Sequence, residues 1–277
     1  MRTDSGKYGI GVALSGGGAR GFAHLGALKA LIDAGIRIDA VAGVSAGSVA
    51  SVVFSAGVSI DEIMEEFGRR KFSDFAEYNF RFNRKSGLFS LDRFEAFIEE
   101  TVAPYKRLEE LPVPTYIGVT DFDGGTQAEF HKGPIAPIVV ASCSIPICFP
   151  PREIEGKRYV DGGVVRNMPA WILREKCRFL IGINCSPILR QDSVNVTSLP
   201  EIAIRTFHLM AKANQKQDLE MCDLAIEFPE IANYKVFDLK HIKDVFLRGY
   251  TVMRHGLRQN STLEKLLKIQ KEGENPE

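Results

Sequence analysis

The sequence predicts an α/β fold: a mainly parallel central sheet with helices on both faces, three layers deep, in one domain over residues 1–277. Three observations predict it. Apolar runs alternate with segments of helical period. The runs lack polar alternation, as strands buried on both faces do. Glycine-rich turns stand where runs give way to helices. A chain of 277 residues that is 45% hydrophobic can bury one large core.

The elements follow in order. Residues 8–14 read as a buried strand and 15–21 as a glycine-rich loop. Phe22, Leu25, Leu28, Leu31 and Ile32 share one face of a helix over 22–34, which Gly35 ends. Residues 38–44 form the second buried strand, and 46–56 a helix packed through alanine, serine and valine. Ser59-Ile60-Asp61-Glu62 has the form of a capping box and starts a helix to about Arg70. Residues 72–88 are aromatic and basic without a clear period and read as a loop or cap; 90–102 is amphipathic and helical. Strands at 114–120 and 126–130 flank a turn at Asp123-Gly124-Gly125. Residues 135–142 make a short buried helix, after which Pro146, Pro150 and Pro151 stiffen a bend. Tyr159-Val160 leads into Asp161, and 179–184 is a further buried strand. The motif-bearing core spans about 8–186. The extension over 187–277 holds a long helix at 201–220, a strand at 224–228, a helix from Ile242 and a charged, frayed tail beyond Leu267.

Composition narrows the function. Lys+Arg and Asp+Glu are equal at 35 each, against the basic excess of a nucleic-acid binder. Cys143, Cys148, Cys177, Cys185 and Cys222 are odd in number and irregularly spaced, so they read as reduced thiols rather than a disulfide framework or a zinc site. The first eight residues are polar, unlike a signal peptide. Two uncharged stretches imitate membrane spans. Residues 40–60 contain three glycines and five serines, and 134–151 is broken by five prolines, so both read as buried segments of the fold.

Three strings carry chemistry. In Gly43-Val44-Ser45-Ala46-Gly47, a serine stands where an apolar strand meets a helix. A sharp strand-to-helix turn that presents a nucleophile needs small flanking residues. An N-cap serine is the plainer reading, yet a cap alone does not call for Gly43 and Gly47. Gly16-Gly17-Gly18-Ala19-Arg20-Gly21 likewise joins a strand to a helix, and its bare N–H groups suit an anion or an oxyanion. Arg20 opposes the helix dipole there, so a negative group nearby, or escape of its head group to solvent, would rationalise it. In Asp161-Gly162-Gly163, the glycines let a backbone or a substrate approach the carboxylate. Five histidines are present, His24, His131, His208, His241 and His255, and none has a loop signature that makes it a triad partner.

These strings, with Ala141-Ser142 through Pro146 to Phe149-Pro150-Pro151 and with Asn167-x-Pro169, resemble the patatin-like phospholipase family in its short, bacterial-type form. The match runs from Gly16 to Pro169 in the family's order and leaves residues 190–277 without a motif. The resemblance implies a three-layer α/β/α fold and a Ser–Asp dyad without histidine: Ser45 as nucleophile, Asp161 as base. Gly16, Gly17, Gly18, Arg20 and Gly21 would surround the oxyanion, and Gly43, Gly47, Gly162 and Gly163 would support the motifs. It implies hydrolysis of carboxylic esters of phospholipids, lysophospholipids or related lipids through an acyl-enzyme, with no cofactor and no metal. A dry pocket would raise the affinity of Asp161 for the serine proton.

The expected partner is a lipid ester substrate; nucleic acid is not expected, and the oligomeric state is left open. Phe72, Phe75, Tyr78, Phe80, Phe82 and Phe89, interspersed with Arg81, Arg84 and Lys85, suit a packed loop first and a lipid interface or active-site cover second. The expected location is therefore cytoplasmic, with peripheral contact at the inner membrane face as the second reading. Three rivals share parts of the pattern. Gly16-x-Gly18-x-x-Gly21 has the spacing of a dinucleotide fingerprint, but Asp39 lies at the beginning of the second strand instead of its end. A histidine-dependent α/β-hydrolase shares the elbow, but carries more chain before it than the 44 residues ahead of Ser45. A non-catalytic lipid binder would keep the fold alone.

Overall fold

The computed structural model describes residues 8–78, 87–187, 198–259 and 261–274. In chain order these form β1 (Tyr8–Leu14), α1 (Phe22–Asp33), β2 (Ala40–Val44), α2 (Ala46–Ser55), α3 (Ile60–Gly68), β3 (Glu77–Tyr78), β4 (Phe89–Ser90), α4 (Asp92–Thr101), β5 (Thr115–Asp121) and β6 (Thr126–Phe130). There follow α5 (Ile135–Ser142), β7 (Arg152–Ile154), β8 (Lys157–Asp161), α6 (Ala170–Leu173), β9 (Cys177–Asn184), α7 (Leu199–Glu220), β10 (Leu224–Glu227), α8 (Ile242–Arg258) and α9 (Thr262–Glu274).

One sheet runs β10-β9-β1-β2-β5-β8-β7, with β6 also paired to β5. From β10 to β5 every pairing is parallel; beyond β5 the pairings are antiparallel. The parallel strands carry helices on both faces, which explains their unbroken apolar runs. On one face Ile10, Val12 and Leu14 pack with α1, α2 and α8. On the other, Ala13, Ala40 and Ala42 pack with Ile172 and Leu173 of α6. Small residues on that second face let α6 lie close to the sheet. Helix α8 crosses α1 at Gly26 and Gly249, where backbone meets backbone.

Several elements differ from the sequence expectation. The tail beyond Leu267 is not frayed up to residue 274. It belongs to α9, fixed by buried Leu266, by the Arg37 N–H donating to Gln270 Oε1 at 2.9 Å, and by an Arg178–Glu272 ion pair at 2.6 Å. Its charges face outward while apolar residues at helical spacing dock on the sheet. Helix α7 begins two residues early, at Leu199, because Ser198 and Glu201 form a reciprocal capping box. Residues 72–78 hold a 3-10 turn and β3, which pairs with β4. Phe80, Phe82, Arg81, Arg84 and Lys85 lie outside the described residues. Asp123-Gly124-Gly125 is a plain turn: the Asp121 carboxylate accepts the N–H groups of Asp123 and Gly124. Among the described residues no helix is long and apolar enough to cross a membrane.

Candidate active site

Ser45 follows β2 and precedes α2 with φ 52° and ψ −121°, a conformation that a serine adopts only under constraint. The constraint is visible on both sides of the peptide. Its N–H donates to Ser142 Oγ at 2.8 Å, and that hydroxyl donates to the Gly118 carbonyl at 2.7 Å. Its carbonyl accepts the Ser48 N–H at 2.8 Å and the Ser48 hydroxyl at 2.6 Å. The flanking glycines are required by contact. A Cβ on Gly43 would overlap the Gly47 carbonyl, and one on Gly47 would overlap the Leu14 carbonyl. The helix therefore starts directly against two strands, and no side chain fits between.

Asp161 ends β8, opposite Val119 of β5, and is fully buried. Its Oδ1 accepts the Gly163 N–H at 2.8 Å, while Oδ2 is buried without a hydrogen-bond partner. Burial pushes the carboxyl up to about 7, against the opposing pull of the Ser45 hydroxyl and the Gly163 N–H. The structure thus brings Ser45 and Asp161 together, with a carboxylate oxygen left open. Cys143 adjoins both. Burial, reinforced by the nearby Asp161 charge, pushes its thiol well above the usual range, so it stays protonated.

The glycine-rich loop lies beside Ser45: a Cβ on Gly16 would come 3.2 Å from Ser45 Cβ, and one on Gly21 2.6 Å from Ala46 Cβ. The Gly16 N–H donates to Asn167, the Ala19 N–H to Val236 and the Arg20 N–H to Gly17. Among the described residues the N–H groups of Gly17 and Gly18 take no hydrogen bond. Beneath the loop, His24 Nε2 lies 2.8 Å from the Ser15 carbonyl and 3.1 Å from Cys185 Sγ. Burial holds that imidazole down to about 4, so it is neutral.

Arg20 differs from expectation. It is 8% exposed and pairs with no acid among the described residues; Nε donates to Tyr234 O and Nη2 to Ala232 O, both at 2.9 Å, and Nη1 to Pro187 O at 3.4 Å. The guanidinium is occupied by the extension rather than turned toward Ser45. Gly162 and Gly163 sit under Asp161, and the loop after them is held by α7. Asn214 donates to the Gly163 carbonyl at 3.0 Å and accepts the Asn167 N–H at 2.9 Å. Arg166 grips Asp218 through two bonds of 2.9 Å. Among the described residues no histidine hydrogen-bonds to Ser45 or Asp161. Asp39, the acid that the nucleotide reading needs beside the glycine loop, instead accepts the Ile10 N–H at the far end of the strands.

Ser45 opens into a cleft of about 930 Å³, mouth included. Buried Leu25, Ile63, Phe67 and Phe75 make its floor; half-buried Phe72 and Phe237 stand at its rim. Among the described residues, Ser45 and Cys143 are the only lining residues with polar side chains, and none is charged. This cleft was not legible in the sequence, since its walls come from six separate segments. Such a lining suits an apolar chain.

The patatin-like phospholipase family model matches residues 12–174, more than half of the chain and the stretch that holds Ser45 and Asp161. An uncharacterized NTE family protein of Mycobacterium bovis is 31% identical over 163 residues, 58% of this chain and 44% of that protein. Neuropathy target esterase of Drosophila melanogaster is 30% identical over 172 residues, 59% of this chain and 12% of that protein. The chain thus matches less than half the length of either relative. Human GIVD cytosolic phospholipase A2, solved with methyl gamma-linolenyl fluorophosphonate, shares the fold with a TM-score of 0.50 at 12% identity, over 96% of this chain and 60% of that one.

Proposed function

The chain belongs to the patatin-like phospholipase family, and from that premise we propose that it is a serine acyl hydrolase of lipid carboxylic esters, working through a Ser45–Asp161 dyad. The observation that carries the reading is the open, buried Oδ2 of Asp161 beside the hydroxyl of a strained Ser45 at the head of an apolar cleft. The acyl chain lies in the cleft and places its ester carbonyl over Ser45. The Ser45 oxygen attacks that carbon while its proton passes to Asp161. The N–H groups of Gly17 and Gly18 receive the oxyanion, each donor contributing roughly 10²–10³ in rate. Collapse breaks the bond to the alcohol, which leaves with the proton from Asp161. Water then attacks the acyl-enzyme, gives its proton to Asp161 and releases the fatty acid as Ser45 recovers its own. The substrate class is a phospholipid, lysophospholipid or related lipid, met at a membrane or micelle surface.

Hydrolysis of a lipid panel, together with fluorophosphonate labelling, tests this. Wild type should label at Ser45 and release fatty acid. Ser45→Ala should do neither, and Asp161→Asn should lose at least about a thousandfold in rate. Full activity in either variant would reject the dyad, and an unlabelled and inert wild type would reject the hydrolase reading in favour of a lipid binder.

A further inference from the structure

One wall of the cleft comes from outside the family-matched stretch. After β10 the chain makes a 3-10 turn over Pro229–Asn233 and reaches α8 through residues 234–241. Arg20 grips that turn through the carbonyls of Ala232 and Tyr234. Its neighbour Ala19 donates its N–H to the Val236 carbonyl at 2.7 Å. Gly18, at φ 58°, lies so close that any side chain there would overlap Val236. The same segment then turns Val236, Phe237 and Leu239 into the cleft. The Phe237 ring packs against Phe72 with centroids 4.4 Å apart and meets Phe149 edge-on at 6.4 Å. Among the described residues this buried guanidinium is bonded to carbonyls alone, so its charge is satisfied mainly by the segment it holds.

We propose that residues 234–239 select the acyl chain, that Phe237 is the specificity-determining residue, and that Arg20 is a positioning residue that ties this selector to the oxyanion loop. The inference rests on the lipid-ester hydrolase reading. It makes chain recognition a property of the extension, while the matched core supplies the bond-breaking groups. Because the loop between Gly17 and Arg20 holds both the free N–H groups and the grip on the selector, a chain that seats well against Phe237 also finds the oxyanion donors in register.

The test compares p-nitrophenyl palmitate with p-nitrophenyl butyrate, and measures binding of the fluorescent fatty acid cis-parinaric acid. Phe237→Ala should lower the palmitate-to-butyrate ratio of kcat/KM about tenfold, as expected for one apolar ring withdrawn from a chain. It should weaken cis-parinaric acid by a similar factor. Phe237→Leu, which keeps an apolar side chain in the wall, should fall between. Arg20→Met should act mainly through KM for palmitate, and Arg20→Lys should recover part of the loss. An unchanged ratio and unchanged fatty-acid binding in Phe237→Ala overturn the selector. A loss in Arg20→Met confined to kcat and equal for both esters overturns its positioning role. If wild type is inert and Ser45 unlabelled, the hydrolase reading fails; cis-parinaric acid binding that still depends on Phe237 would mark that failure as separate from one of the selector.

Discussion

The serine elbow and the extension both shape the cleft, yet they are held in opposite ways. At the elbow, backbone presses on backbone: Gly43 against Gly47, Gly47 against Leu14. In the extension, side chains make the contacts: Arg20 reaches the carbonyls of Ala232 and Tyr234, Asn214 that of Gly163, and Arg166 the Asp218 carboxylate. The first kind of contact excludes side chains and so forces small residues at fixed spacing. The second accepts many sequences, because a long polar side chain finds a carbonyl from several starting points.

The comparison predicts that the elbow breaks harder than the extension. Gly47→Ala places a methyl group inside the Leu14 carbonyl, and neither strand nor helix can retreat without unpacking the other. It should destabilise by at least about 3 kcal/mol, the upper range for overpacking, and remove fluorophosphonate labelling with it. Denaturant unfolding near wild type would show that the elbow has slack. In the extension, Asp218→Ala leaves Arg166 without its partner, but that side chain is 21% exposed and can find water. The expected loss is smaller, about 2–3 kcal/mol. If Asp218→Ala cost as much as Gly47→Ala, the extension would be as rigid a part of the core as the elbow.

The same contrast explains what was legible beforehand. Ser45, Asp161 and the glycine loop could be read because turns and close approaches constrain residue size. The parallel strands could be read because burial on both faces leaves an apolar run. The role of Arg20 could not be read, since its partners lie more than 160 residues away and present only carbonyls. Helix α9 was misread because its docking residues, Leu266 and Ile269, are sparse among charges. The rim at Phe72 and Phe237 joins segments whose sequences carry no sign of each other.

Asp161 stands where the two regions meet, on a core strand but ahead of a loop that α7 holds, and its titration is the finest probe of the join. The folded protein keeps the Asp161 proton up to pH about 7, whereas an unfolded chain releases it near pH ~3.9. Folding therefore gains from this group below the lower value, and the gain is lost as pH rises through the higher one. Above pH 7 the buried negative charge destabilises wild type, and Asp161→Asn removes it. A three-unit shift sets a ceiling of roughly 4 kcal/mol; the desolvated amide returns part of that, leaving about 2 kcal/mol of stabilisation at pH 8 and little at pH 4. The same proton should appear in catalysis with the opposite sense, as an acid limb in which kcat/KM climbs through pH 7 as the carboxylate forms. Denaturant midpoints of the two proteins across pH 4–8, set beside that rate profile, check both. Equal midpoints at pH 8 would mean that the carboxylate reaches water through the loop, and that α7 does not seal it.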